Sequence, residues 1–154
     1  MTNTATSESA SQRKRWLAVL ARANRSELEN ALARESLVAP FEYVRAAEPG
    51  MVMLRGRIGG TGAAFNLGEA SVVRCALRVG GSALGIGYAL GRDKRKAELI
   101  AVFDALLQDE ARREAIQREL IEPLAWRQAA QREAAVQAAA ASKVEFFTFV
   151  RGQA

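Results

Sequence analysis

Between Met51 and Val79 the sequence reads MVMLRGRIGGTGAAFNLGEASVVRCALRV, two stretches of period-two alternation around a glycine-rich corner. In the first stretch Val52, Leu54 and Ile58 fall on one side, Arg55 and Arg57 on the other. In the second, Val73, Cys75, Leu77 and Val79 alternate with Arg74 and Arg78. Successive side chains of a strand point to opposite faces, so each stretch predicts a half-buried strand with an apolar face and an arginine face. Such alternation suits an antiparallel sheet with one wet side. Gly59-Gly60-Thr61-Gly62 supplies backbone that can take positive φ and approach another group closely. If the two strands share a sheet, Arg55, Arg57, Arg74 and Arg78 gather on its open side, where an anionic partner is expected.

The flanking sequence predicts an α+β fold around these strands. Trp16, Leu17, Leu20 and Ala23 lie at helical spacing, with Arg13-Lys14-Arg15 expected on a solvated face. Ser26 and Glu29 form a capping-box pattern ahead of Leu28, Ala31 and Leu32, which completes an N-terminal helix pair. Phe41–Ala46 reads as a strand, and Glu48-Pro49-Gly50 as a type II turn into Met51–Ile58. Ala63–Leu67 is short and extended, Gly68-Glu69 a further turn, and Ala83–Leu90 a strand weakened by Gly85 and Gly87. The sum is an antiparallel meander of four to five strands. A long helix capped by Asp93 carries Leu99, Ile100, Phe103, Leu106 and Leu107 on the face expected to cover the sheet. Helical pattern continues to Pro123, and an alanine-rich helix follows from Leu124 to Ala141. Residues 1–12 are expected to be a disordered tail, 13–142 a single domain, and 143–154 an extended docking segment. In that segment Phe146, Phe147 and Phe149 stand on both sides of an extended run, which suits insertion into a partner.

Composition narrows the chemistry. The chain has no histidine and one cysteine in 154 residues, which removes histidine bases, Ser-His and Cys-His nucleophile systems and histidine-containing zinc sites. One cysteine cannot hold an iron–sulfur cluster alone, and Cys75 on an apolar strand face reads as a small core residue. No apolar run approaches the roughly 20 residues of a membrane span, and the N-terminus lacks the apolar core of a secretory signal, so the cytoplasm is expected. A net charge of +5 and a pI near 10.0 admit nucleic acid, phosphorylated substrates or an acidic protein as partner. Aromatic content of 6% argues against a base-stacking platform.

The glycine corner matches neither a P-loop nor a dinucleotide fingerprint, so Gly59, Gly60 and Thr61 read as a tight turn whose neighbouring arginines favour an anion. Gly91-Arg92-Asp93-Lys94-Arg95-Lys96 puts cations at a helix N-terminus, each opposing the macrodipole by a few tenths of a kcal/mol. Either an anionic partner offsets this at Arg92 and Lys94, or the side chains swing into solvent. Glu69, Glu98 and Asp104 are carboxylates suited to a base or metal ligand, and equally to an ordinary turn or helix face.

Taken as a set, these residues resemble a family. Arg57-Ile58-Gly59-Gly60-Thr61-Gly62, Phe65, Gly68, Arg74, Arg78 and Gly91-Arg92-Asp93-Lys94 stand in its order and spacing. So do Ala97-Glu98, Asp104-Ala105-Leu106-Leu107-Gln108, Pro123-Leu124 and the closing VEFFTFVRG of 144–152. They are similar to the G subunit of the bacterial carbon–phosphorus lyase core complex, the PhnG family, over about Trp16 to Gly152. Glu145 and Phe149 depart from the Asp and Met usual in the closing segment. The resemblance implies a non-autonomous transferase subunit of organic phosphonate catabolism. With the H and I subunits and the L protein, it supports displacement of adenine from ATP by a phosphonate. The J subunit, which carries the iron–sulfur cluster, later breaks the carbon–phosphorus bond. No catalytic residue, metal or cofactor of this chain follows from the resemblance; ATP is the substrate of the complex. The rival readings are a basic nucleic-acid-binding or scaffold module and a stand-alone carboxylate-dependent enzyme.

Overall fold

The computed structural model describes residues 3–35, 40–81 and 83–141. The chain runs α1 (Asn3–Arg22), α2 (Arg25–Arg34), β1 (Phe41–Arg57), β2 (Ala64–Val79), β3 (Gly85–Leu90), α3 (Lys94–Leu107), α4 (Glu110–Ile116) and α5 (Glu122–Ala141). The strands form one antiparallel sheet in the order β1-β2-β3. The α+β class and the covering helix are as expected, but the strands are fewer and longer. Pro49-Gly50 and Gly68-Glu69 do not turn the chain; they lie inside strands of 17 and 16 residues. Proline is tolerated because β1 is an edge strand, where a missing N–H need not break a ladder. Pro49 and Gly50 pair in register with Val73 and Val72, and Gly68 and Glu69 with Leu54 and Met53; the bulges lie beside them, between Tyr43 and Arg45, Arg45 and Glu48, and Leu54 and Arg55.

The core lies between the sheet and α3. Val73, Cys75, Leu77 and Val79 of β2 are buried on the same sheet face, as their alternation predicts. Opposite them, every residue of α3 from Leu99 to Leu107 is buried, so this helix is enclosed on all sides. Gly85 and Gly87 explain how it comes so close. A Cβ at Gly87 would overlap the carbonyl oxygen of Ala97, and one at Gly85 that of Ala101. The glycines of β3 thus serve close helix–strand packing. Trp16 and Leu20 of α1 and Leu28 and Ala31 of α2 close the remaining sides.

One residue of α3 breaks the apolar pattern. Asp104 is fully buried at 0% exposure. Its carboxylate accepts hydrogen bonds from Arg13 Nε at 3.1 Å, Arg13 Nη2 at 2.6 Å, Trp16 Nε1 at 2.8 Å and the backbone N–H of Ile86 at 2.9 Å. Arg13 Nη2 also donates to the carbonyl of Leu84 at 3.0 Å. A buried carboxylate without such partners would be costly. Here it joins α1, α3 and the start of β3, and Arg13 is part of the clamp rather than of a solvated face.

The helical boundaries differ from expectation in four places. First, α1 begins at Asn3, so residues 3–12 are helical and not a disordered tail. Residues 7–12 are exposed, so no apolar stripe announces this turn-by-turn extension of an already nucleated helix. Second, α2 starts earlier than its expected cap: Asn24 is the N-cap, and its N–H donates to Glu27 Oε2 at 2.9 Å. Third, Pro123 does not break the helix. A π turn over Gln117–Ile121 precedes it, and Pro123 sits in the first turn of α5, where a missing N–H costs least. Fourth, the helical pattern expected to run on to Pro123 is broken after Leu107, where Asp109 accepts from the Ala111 N–H at 3.0 Å and caps a separate α4. Asp93 caps α3 as predicted, accepting from the Lys96 N–H at 3.0 Å.

Asp104→Ala is expected to destabilise the chain by roughly 3–5 kcal/mol, because it strands the Arg13 guanidinium in a partly buried position. Denaturant unfolding checks this; a loss under about 1 kcal/mol would show that the clamp is not what holds α1. Gly87→Ala is expected to cost on the order of 1–3 kcal/mol through overpacking against α3, seen as a lowered melting temperature.

Candidate functional site

The site named by the sequence is a projecting ribbon. β1 pairs with β2 along its whole length, from Phe41 opposite Val79 to Arg57 opposite Ala64. β3 accompanies β2 only from Leu77 to Val72, where Leu90 is its last partner. Beyond that point, residues 51–70 form a two-stranded ribbon with neither a third strand nor a covering helix among the described residues. A 3₁₀ turn over Ile58–Gly60 closes it, with Gly59 at φ 62° and Gly60 at φ 79°. Only glycine takes such angles without strain, so the corner is a tight turn. Arg57 Nη1 donates to the Gly62 carbonyl at 2.9 Å and pins that turn.

The arginines do not converge. Paired residues share a sheet face, so Val73 opposite Pro49 and Ala89 fixes the core side. Met51, Met53, Arg55 and Arg57 continue that side along β1. Arg74, opposite Tyr88 and Glu48, and Arg78, opposite Glu42, lie on the other side. Arg57 is also ten residues along the ladder from Arg74, about 30 Å at strand rise. The expectation of four arginines on one open face is therefore corrected: continuous strands replace the short hairpin that would have aligned them. Arg74 Nε instead binds Glu48 Oε1 at 3.0 Å, with Arg45 Nη1 at 3.5 Å from the same oxygen.

At the start of α3 the excess of cations is compensated only in part within the chain. Arg95 lies 3.3 Å from Glu98 and 3.9 Å from Glu29, and Arg25 lies 3.9 Å from Asp93. Burial lowers the Lys96 ammonium from its ordinary range, opposed by nearby Asp93. Arg92 and Lys94 are exposed and make no ion pair among the described residues. Glu98 is thus a partner of Arg95, and Glu69 sits within β2 opposite Met53 rather than at a turn. Burial, then the Glu98 carboxylate, raises the Tyr43 hydroxyl.

Sequence reasoning did not single out the root of the ribbon. There a cleft of about 410 Å³ opens between α1 and the sheet, lined by Ala18, Ala21, Val52, Val72, Tyr88 and Leu90. Its signal was present in the alternation of Tyr88 and Leu90 with the buried face of β3. Leu90 is 70% exposed and Tyr88 51%, so the cleft has an apolar rim. Phe146, Phe147 and Phe149 lie outside the described residues. Among the described residues no helix is long and apolar enough to cross a membrane, and no cluster of acidic, cysteine or histidine side chains could hold a metal.

These features define a small α+β protein with a projecting apolar ribbon. The family model of the phosphonate metabolism protein PhnG matches residues 11–152. A relative from Rhizobium meliloti (strain 1021), the alpha-D-ribose 1-methylphosphonate 5-triphosphate synthase subunit PhnG, is 43% identical over 145 residues, covering 92% of this chain and 90% of the relative. The chain belongs to the PhnG family of phosphonate metabolism proteins.

Cys75 gives a direct chemical test of the core face. Burial, with Glu98 nearby, pushes its thiol up to about 11. In the native chain at pH 8 it should resist iodoacetamide, and react only after denaturation. The folded state keeps a proton that an unfolded thiol releases, so its contribution to stability is complete below about pH 8.5 and is lost progressively towards pH 11. Rapid stoichiometric alkylation of folded protein at pH 8 would contradict this placement.

Proposed function

We propose that this chain is a non-autonomous subunit of a transferase of organic phosphonate catabolism that displaces adenine from ATP. A phosphonate oxygen forms a bond to the anomeric carbon, the bond from that carbon to adenine breaks, and the proton leaves with adenine. The product is a ribose 1-phosphonate 5-triphosphate. The observation that carries this reading is the 43% identity, spread over nine-tenths of both chains, to a protein named as a subunit of such a synthase.

The chemistry of the chain supports a dependent role. It has no histidine, and its carboxylates at 98 and 104 are engaged with arginines. Its one cysteine is buried and protonated at neutral pH, which suits an assembly whose iron–sulfur cluster belongs to another subunit. The companions proposed are the H, I and J subunits and the L protein, with the cytoplasm as the compartment. ATP and phosphonate then meet the assembly rather than this chain alone. Arg55, Arg57 and the Gly59-Gly60-Thr61 tip, together with exposed Arg92 and Lys94, are the groups proposed to meet an anion or an acidic partner surface.

The purified chain should release no adenine from ATP and methylphosphonate, whereas the chain combined with its H and I companions and the L protein should do so. Chromatographic detection of free adenine checks this. Multiple turnover by the isolated chain would overturn the dependent role, and an inactive complete mixture would overturn the transferase assignment.

A further inference from the structure

The ribbon of residues 51–70 is costly for a free chain to carry. Two-stranded ribbons without a third strand or a packed helix are marginal in water. Natural sheets that leave a face wet make that face polar. This one does not. Met51 and Met53 continue the core side, while Val52 and Leu54 lie on the other side, opposite Ala70 and Gly68. Ile58 at the tip is 77% exposed, Leu67 65% and Met51 63%. The outer side runs without interruption from Leu54 through Val52 into the cleft walled by Val72, Leu90 and α1. Exposed apolar surface that is contiguous in this way marks an interaction site.

Charge selects the occupant. The ribbon has Arg55 and Arg57 towards its tip and one carboxylate, Glu69, nearer its root, and Arg22 lines the cleft there. Two ribbons of this chain laid together would oppose like charges, which disfavours a second copy. Nucleic acid is also a poor fit. Two tip cations neutralise few phosphates, and Phe65 is the one aromatic residue in 51–70. A protein groove of apolar walls with carboxylates at its rim matches both properties.

We propose that the ribbon 51–70 and the cleft at its root form the docking element by which this chain engages a companion subunit, one whose receiving surface is an apolar groove rimmed by Asp or Glu. The proposal rests on the subunit reading above. An apolar side chain of the companion occupies the cleft between Tyr88, Leu90 and α1, in the manner of a buried anchor. Arg55 and Arg57 pair with the acidic rim and set the orientation.

The test is co-expression of the full chain with its H, I and J companions, followed by size-exclusion chromatography with light scattering. The double variant Leu54→Asp, Leu67→Asp should keep the circular dichroism and melting transition of the parent, because neither side chain belongs to the core. Its affinity for the companions should fall about tenfold or more. A photo-crosslinking amino acid at position 67 of the otherwise unaltered chain should give a covalent product with one companion, and this readout stands even if the double variant misfolds. Undiminished co-elution of a folded double variant overturns the proposal. So does a position-67 crosslink only to a second copy, or ribbon-dependent retention of a labelled oligonucleotide. Failure of the parent chain itself to co-elute would instead remove the subunit reading on which the proposal stands.

Discussion

The fold depends on one buried carboxylate. Asp104 stands where α3 is otherwise apolar, and its two oxygens take four hydrogen bonds from Arg13, Trp16 and the backbone of Ile86. The guanidinium is bidentate, which fixes geometry as well as charge. Through these bonds the first helix is set against the third, and the edge strand is held at its start. Apolar burial supplies most of the stabilisation, since a fully buried leucine or phenylalanine contributes roughly 1.5–3 kcal/mol. Apolar contacts are non-directional, however, and would permit α1 to slide or rotate. The Asp104 clamp removes that freedom and so positions Ala18 and Ala21 as one wall of the cleft beneath the ribbon.

With the body closed in this way, the surface that remains apolar is not core left over. α3 covers one face of the sheet only where β3 is present. Among the described residues the ribbon beyond Leu90 has no such cover, and its tip is held in shape by two left-handed glycines and the Arg57 bond to Gly62. The body and the ribbon therefore differ: the body buries a contiguous core and leaves single apolar side chains such as Trp126 and Val136 exposed, whereas the ribbon presents its apolar side chains in a row. This division accords with membership of a family in which a close relative is named as a subunit.

Much of this was legible in the residues, and the gaps have physical causes. The 3.6-residue stripe of Leu99, Ile100, Phe103, Leu106 and Leu107 announced α3, and Asp93 announced its start, because both signals are local. The alternation of Val73, Cys75, Leu77 and Val79 announced the buried face of β2 for the same reason. Strand continuity was not legible. Pro49-Gly50 and Gly68-Glu69 carry turn chemistry, and only the pairing across the sheet, Pro49 opposite Val73 and Glu69 opposite Met53, holds them in strand. Register was lost with it, and a register error moves arginines to another face and position. Asp104 was singled out as a carboxylate amid apolar residues, but its side-chain partners lie about ninety positions away in sequence. The signal for them was Arg13 and Trp16, two donors one helical turn apart on a helix that must pack somewhere. The extension of α1 to Asn3 left no stripe to find.

The proposed division, a self-contained body and a ribbon made for another protein, sets the local opening of the two parts of the backbone apart. Backbone amide hydrogen exchange, measured residue by residue on the free chain and on the chain assembled with its companions, tests it most directly. In the free chain, amides of α3 and of Val73–Val79 should exchange slowly, while those of 51–57 and 64–70 should exchange faster by orders of magnitude. On assembly the ribbon amides should become protected, and those of α3 should change little. A ribbon already as protected as α3 in the free chain, or one whose exchange is the same before and after assembly, would contradict the account.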